Sequence, residues 1–467
     1  SGAAGLDPLE SGPDRLRNVQ EMTSIDAVRV ALVFDTTSLA GNWGCRATSI
    51  ALADLVTESG ALLDSAIPAL DIEVGPVTRR LGRVARAARG AGRGAPPSSQ
   101  LVTASTDRSG SSLAGSGGRF VALGRLAERA DRRKLPTPDG AADLEGCVDA
   151  MLASDFLRPH LDRLAAADVV VVNGEGTVYG GQAKGRRLLA LTHLAKHRLG
   201  RRVAYVNQTL DLADERDREV ADAVLPGLDD VSFREPLSAE AWGRAVPGGG
   251  AAFVPDAAFR LEPIDDDAFW PGARRSDTYS VWPDRVPGLR PGYVCVGGSS
   301  SLLRPGATAD PTAGYRRLCR RLLDAGHPVL LTSSDPVDEQ FLRPLARELG
   351  LGHLGCATPV PQAVDVLAHA GAVITGRWHP SIFASLGGTP VVSLGANSFK
   401  TEGFQRLIGT KVPVEPADLG GGAVEAVLGH LEDLVDRGDA LRAEIAARAR
   451  ELREQTPGLV RVLDAPS

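Results

Sequence analysis

Residues 370–394 read AGAVITGRWHPSIFASLGGTPVVSL. The apolar run Ala372–Thr375 predicts a buried strand that stops at Gly376. Pro380 suits the first position of the helix that follows, which the pattern carries to 387, and Val391–Leu394 predicts the next strand. A helix crossing between two buried apolar strands is the βαβ unit of a parallel sheet. The turn between strand and helix holds Arg377, Trp378 and His379. Ligands of open parallel sheets gather outside the carboxyl ends of the strands. A helix N-terminus there favours an anion through its free amides and its macrodipole. The planar fork of Arg377 suits a carboxylate or phosphate. The plainer account is an arginine neutralising a structural carboxylate beside a capping histidine.

The same alternation extends in both directions. Upstream lie GYVCVGG, a helix over 312–325, HPVLLTSS and a helix over 336–349. Further back come VRVALVF (28–34), a helix near 46–59, a helical stretch over 148–166, DVVVV (168–172) and a helix over 184–200. RRVAYVNQ, DVSFRE and AAFVPDAAF follow as strand signals, and the Pro/Asp/Trp-rich stretch 262–291 reads as a connection. We expect an α/β fold of two Rossmann-like, doubly wound domains, over 25–265 and 266–422. Residues 1–24 are expected to be disordered, with a mobile Gly/Ser/Arg insertion at about 86–118. A C-terminal helical segment, 423–467, carries Leu441, Ile445 and Leu452 on one face and is expected to pack back on the first domain.

Composition narrows the class. The 467 residues are 43% apolar and 24% charged, enough for two or three globular domains. A net charge of −6 with no basic stripe argues against nucleic acid as a partner. Five cysteines without a CxxC spacing favour a reducing compartment, hence the cytoplasm, over disulfides or a zinc site. No apolar run is long enough to span a bilayer.

Other candidates stand at strand ends. Lys400, in SLGANSFKTEG, falls on the loop after 391–394 and would add a third cation beside Arg377 and His379. Arg234 follows DVSF, with an interdomain salt bridge as its alternative; Asp256, in FVPDAAF, either caps a helix or touches a ligand. In NGEGT, Gly174 and Gly176 let backbone approach a ligand, and Glu175 is a candidate general base. Asn42, in GNWGC, could bind a sugar hydroxyl or phosphate, or merely form a turn. His193 and His197 lack a third ligand and read as exposed helix residues. NGEGT is not GxGxxG, and no GxSxG, P-loop or DxD pattern is present, which disfavours NAD enzymes, serine hydrolases, P-loop NTPases and metal-dependent transferases.

The ordered set GNWGC, VVVNGEGTVYGG, SFREPLS, FVPDAAF and GRWHPSIFASLGGTPVVSL with Lys400 resembles the polysaccharide pyruvyl transferase family. The resemblance implies a GT-B-like fold, with the acceptor on the N-terminal and the donor on the C-terminal domain. It implies transfer of pyruvate from phosphoenolpyruvate to two hydroxyls of a glycan or glycoconjugate as a cyclic ketal. No cofactor and no metal ion is implied. Carried over by position, Arg234, Arg377, Trp378, His379 and Lys400 form the phosphoenolpyruvate site. By their chemistry, His379, Lys400 and Glu175 are the catalytic candidates, with His379 as general acid and Glu175 or Asp256 as acceptor of the hydroxyl proton. Asn42, Gly174, Glu175 and Asp256 face the acceptor; a lipid-linked acceptor would bring peripheral membrane contact. Cys45 departs from the family, which often has aspartate there. A GT-B glycosyltransferase using a nucleotide sugar is the alternative, because a cationic pocket serves a diphosphate equally well.

Overall fold

The computed structural model describes residues 27–37, 41–73, 135–246, 251–273, 289–302 and 310–464. The expectations for 1–24 and for the insertion at about 86–118 fall outside the described residues, as does 274–288 of the connection.

Two parallel sheets form. The first has the order β2-β1-β3-β4-β5-β6, with β1 (Arg29–Asp35), β2 (Leu62–Pro68), β3 (Val169–Val178), β4 (Arg202–Leu210), β5 (Asp230–Phe233) and β6 (Ala252–Phe253). The second has the order β11-β10-β7-β8-β9, with β7 (Val294–Ser299), β8 (Val329–Thr332), β9 (Gly352–Leu354), β10 (Ala372–Gly376) and β11 (Val391–Ser393). Strands covered on both faces must be apolar at every position, and the period of two splits them between two cores. Ala31, Val33, Val170 and Val172 pack on one face of the first sheet, whereas Val30, Leu32, Val169 and Val171 pack on the other.

Seven helices frame the site or close the fold: α1 (Trp43–Glu58), α2 (Ala183–His193), α3 (Pro236–Ala245), α4 (Pro336–Leu349), α5 (Trp378–Leu386), α6 (Lys400–Ile408) and α7 (Gly438–Gln455). Side-chain caps start three of them, with Asn42 accepting from Cys45 N, Glu235 from Ser238 N and Asp335 from Val337 N. In each sheet the strand order reverses at the first strand, β1 between β2 and β3, and β7 between β8 and β10. Chains leaving toward opposite faces open a crevice at these points. At these points lie the start of α1, the C-terminal half of β3 and the turn from β10 into α5, where the unusual residues stand.

Several expectations shift. α5 begins at Trp378, two residues before Pro380, so His379 belongs to the first helical turn. Proline is tolerated there because the first amides of a helix have no intrahelical acceptor. Lys400 opens α6 rather than lying on a loop. The C-terminal segment is two helices, Ala423–Asp436 and α7. Leu441, Ile445 and Leu452 join the core of the second sheet, not the first. The return to the first sheet is made by the turn Thr456–Leu463, whose Leu459, Val460 and Val462 pack there while Arg461 bonds to Asp230. His193 is buried, with Nε2 2.9 Å from Glu145 Oε1, rather than exposed. Among the described residues no helix is long and apolar enough to cross a membrane.

Candidate active site

Asp256 ties the two sheets together. It follows β6, caps the short helix Ala257–Arg260 through Oδ1, and is fully buried. Its Oδ2 accepts from Arg234 Nη1 at 3.0 Å and from Trp378 Nε1 at 2.9 Å, and lies 3.4 Å from His379 Nε2. Arg234 comes from the end of β5, whereas Trp378 and His379 come from α5 in the other half. The guanidinium also donates to Thr209 Oγ1 and stands 5.1 Å from the centre of the Trp378 ring. Burial opposes ionisation of Asp256, yet His379 and Arg234 hold its carboxyl well below the ordinary range. Asp256 therefore serves as the buried counter-charge of this cluster, and each of its oxygens is engaged by protein donors.

His379 sits directly on the seam. A Cβ on Gly44 would fall 1.7 Å from its Nδ1, so the first turn of α1 tolerates no side chain at this point. The rest of that turn is fastened to the second half. Trp43 N donates to Ser334 O, Asn42 Nδ2 to Asp335 Oδ2 at 3.1 Å, and Arg46 Nη2 to the carbonyls of Cys356 and Thr358. Asn42 is thus occupied at both ends, as helix cap and as bridge. His379 is itself buried, its Nδ1 against the backbone of Gly44 and its Nε2 toward Asp256.

Arg377 turns the other way. Its Nε and Nη2 form a two-point pair with Asp338 at 3.1 and 2.8 Å, and Nη1 lies 3.8 Å from Asp335. This matches the plainer account, of an arginine neutralising a structural carboxylate. Burial pushes the Asp338 carboxyl up to about 6 against the attraction of Arg377.

Lys400 is partly accessible, and among the described residues no carboxylate pairs with it. Burial, followed by the charges of Arg234 and Arg377, pushes its ammonium well below the usual value. Lys184, at the start of α2, adds to the repulsion, although it has its own partner in Glu73 at 3.5 Å. Fixed cations crowd an amine that has no acid to balance it among the described residues. An anion entering here would relieve the repulsion.

On the first sheet, the strand expected over 168–172 runs on to Val178, so Glu175 lies inside β3, with φ 50°, rather than in a turn after it. Its carboxylate accepts from the Thr48 hydroxyl and from Cys45 Sγ at 3.5 Å, both on α1. Gly174 faces the sheet: a Cβ there would meet Gln208 Cβ at 2.6 Å and Tyr205 Cε1 at 2.7 Å, so its need is close packing. A Cβ on Gly176 would come within 3.2 Å of Arg234 Nη2. The structure gathers Arg234, Trp378, His379 and Asp256 into one cluster with Lys400 electrostatically beside it, and sets Glu175 against α1. Sequence reasoning missed Asp338, Thr48 and Lys184. Asp338 lies in the first turn of a helix, where an acid already has a reason to be.

A family model described as polysaccharide pyruvyl transferase matches residues 110–398, more than half of the chain. The chain belongs to the polysaccharide pyruvyl transferase family. It is an enzyme of that kind, a transferase of polysaccharide biosynthesis whose family implies a sugar or glycan acceptor. Among solved structures, Staphylococcus aureus MnaA with UDP is similar at TM-score 0.50 and 12% identity, over 93% of this chain and 95% of that one. UDP-N-acetylglucosamine 2-epimerase from Rickettsia bellii follows at 0.49 and 12%, over 94% and 96%. Arabidopsis thaliana UGT89C1 with UDP follows at 0.49 and 12%, over 94% and 100%. Likeness at such identity concerns the two-domain α/β fold alone. No curated protein matches the chain.

Proposed function

We propose that the enzyme transfers the pyruvyl group of phosphoenolpyruvate to two hydroxyls of a sugar, making a cyclic ketal on a glycan or glycoconjugate. The observation that carries this proposal is the cluster at the seam, Arg234, Trp378 and His379 on Asp256, with Lys400 opening α6 beside it and no carboxylate paired with that amine among the described residues. Phosphoenolpyruvate brings a carboxylate and a phosphate of about −1.5 to −2 charge, which suits such a site. Lys400 and Arg234 Nη2, the guanidinium nitrogen that Thr209 and Asp256 do not engage, bind it, with the first amides of α5 and α6 supplying further donors. Arg377 acts through its field, because its fork is held by Asp338.

In the chemistry we propose, His379 protonates the donor methylene, and the double-bond electrons form the new C–H bond. A sugar hydroxyl adds to the electron-poor C2 as its O–H bond breaks and the proton passes to Glu175. The C2–O bond to phosphate then breaks, with the electron pair leaving on phosphate. The second hydroxyl closes the ketal. Of the two hydroxyl protons, one restores His379 and the other leaves with phosphate. Arg234 and Lys400 stabilise the charge that develops on the leaving group. The five cysteines are free thiols, consistent with a cytoplasmic setting.

Thermal unfolding tests the donor. Phosphoenolpyruvate at a hundred times its Kd is expected to stabilise the protein by about 2.7 kcal/mol. Sugars activated with UDP, GDP or CMP should leave the transition where it is. Stabilisation by a nucleotide sugar and none by phosphoenolpyruvate would replace this proposal with the glycosyltransferase alternative.

A further inference from the structure

A buried chain of hydrogen bonds runs between the two working ends of the site. The Ala257 amide donates to Asn207 Oδ1 at 2.9 Å, and Asn207 Nδ2 donates to Asn173 Oδ1 at 3.1 Å. Asn173 Nδ2 donates to Thr48 Oγ1 at 3.4 Å, and the Thr48 hydroxyl donates to Glu175 Oε1. Thr48, Asn173 and Asn207 are all fully buried. The polarity is fixed at both ends, because a backbone amide can only donate and an ionised carboxylate can only accept. Each asparagine is thereby held in one orientation. The Thr48 oxygen also lies 3.0 Å from Cys45 O, but its single proton goes to the charged acceptor, the stronger bond. Aligned bonds polarise one another in a low-dielectric interior, so the whole chain points at Glu175.

Two further features mark the chain. Glu175 and Asn207 both have left-handed backbones, at φ 50° and 59°, a conformation that costs a residue with a side chain and persists only where the surroundings enforce it. The origin, Ala257, is the first residue of the turn capped by Asp256, which also holds Arg234, Trp378 and His379.

We propose that Thr48, Asn173 and Asn207 are positioning residues that fix Glu175 as the base for the acceptor hydroxyl and tie its placement to the Asp256 cluster. This rests on the pyruvyl transfer proposed above. The step they serve is the one in which the hydroxyl O–H bond breaks, its proton moves to Glu175, and its oxygen bonds to donor C2. None of the three touches the reacting atoms.

A double-mutant cycle tests this proposal. Phosphate release from phosphoenolpyruvate is followed with a mixture of the p-nitrophenyl β-glucoside, β-galactoside and β-mannoside, water serving as the fallback acceptor. Thr48→Val keeps the side-chain shape and removes the donor; kcat is expected to fall roughly 10–100-fold while KM for phosphoenolpyruvate stays within about two-fold. Thr48→Ser should recover most of the loss. In a Glu175→Gln background, Thr48→Val should cost no more than about three-fold, since the group it acts through is already gone. Asn173→Leu, of similar shape and without a donor for Thr48, is the second variant should Thr48→Val not fold, and should show the same split. Independent, multiplying losses or an unchanged kcat in Thr48→Val would overturn the positioning role. Absence of phosphate release from the wild-type protein would instead overturn the proposed pyruvyl transfer, and this inference with it.

Discussion

Replacing His379 by glutamine is expected to lower kcat roughly 10²–10⁴-fold, the usual contribution of a positioned proton donor. Affinity for the proposed donor should change little. The imidazole is packed between Asp256 and the backbone at Gly44, with Nε2 3.4 Å from Asp256 Oδ2. Glutamine fills much the same space and can still donate a hydrogen bond, but it cannot surrender a proton. Arg234 and Lys400 remain, so the anion should still be held. Steady-state phosphate release with a parallel binding titration separates the two effects. A glutamine variant that turns over like wild type would remove His379 as the acid; one that loses binding and turnover together would make it a binding residue.

The largest effect on stability is expected at Asp256. Substitution by asparagine keeps the shape and deletes the charge that balances Arg234, which is 2% exposed. Removing one partner of a buried ion pair costs about 3–5 kcal/mol, because the remaining charge has neither water nor counter-ion. Trp378 Nε1 would also lose its charged acceptor. Since Asp256 joins α5 of the second half to β5 of the first, the seam itself should loosen. Urea unfolding of Asp256→Asn should show this loss, and a companion Arg234→Met change should recover part of it by removing the stranded charge. A midpoint equal to wild type would show that the cluster is not the tie described here.

The elements legible from sequence are those whose local signals agree. β10, α5 and β11 combine apolar runs with a proline and glycines at the junctions, and their sequence gives the βαβ unit without tertiary information. β2 and β9 were not legible. The first is an edge strand containing Asp64 and Pro68, and the second has three residues, too few for a pattern. α6 lacked a start signal because Phe399 at its N-cap makes no side-chain bond, which left Lys400 looking like a loop residue. In the site, strand-end placement singled out Arg234 after β5 and His379 after β10, both of which meet at Asp256, whereas Glu175 lies inside β3. It could not say which way a side chain turns. The Arg377–Asp338 pair, the contact of His379 with Gly44 and the chain from Ala257 to Glu175 each join residues far apart in sequence.

The most direct test of the account is proton uptake when phosphoenolpyruvate binds. In the free protein, burial, Arg234 and Arg377 hold the Lys400 amine well below its ordinary value. A bound trianion favours the charged form, so the amine titrates higher in the complex and takes up protons at pH values between the two positions. At pH 8 the donor phosphate is already ionised, its own second proton leaving near pH 6, so the uptake belongs to the protein. Calorimetric titration in buffers of different ionisation enthalpy is expected to show net proton uptake on donor binding, abolished in Lys400→Met. Binding without proton uptake, or uptake unchanged in Lys400→Met, would contradict a site in which crowded cations wait at the seam for a single anionic donor.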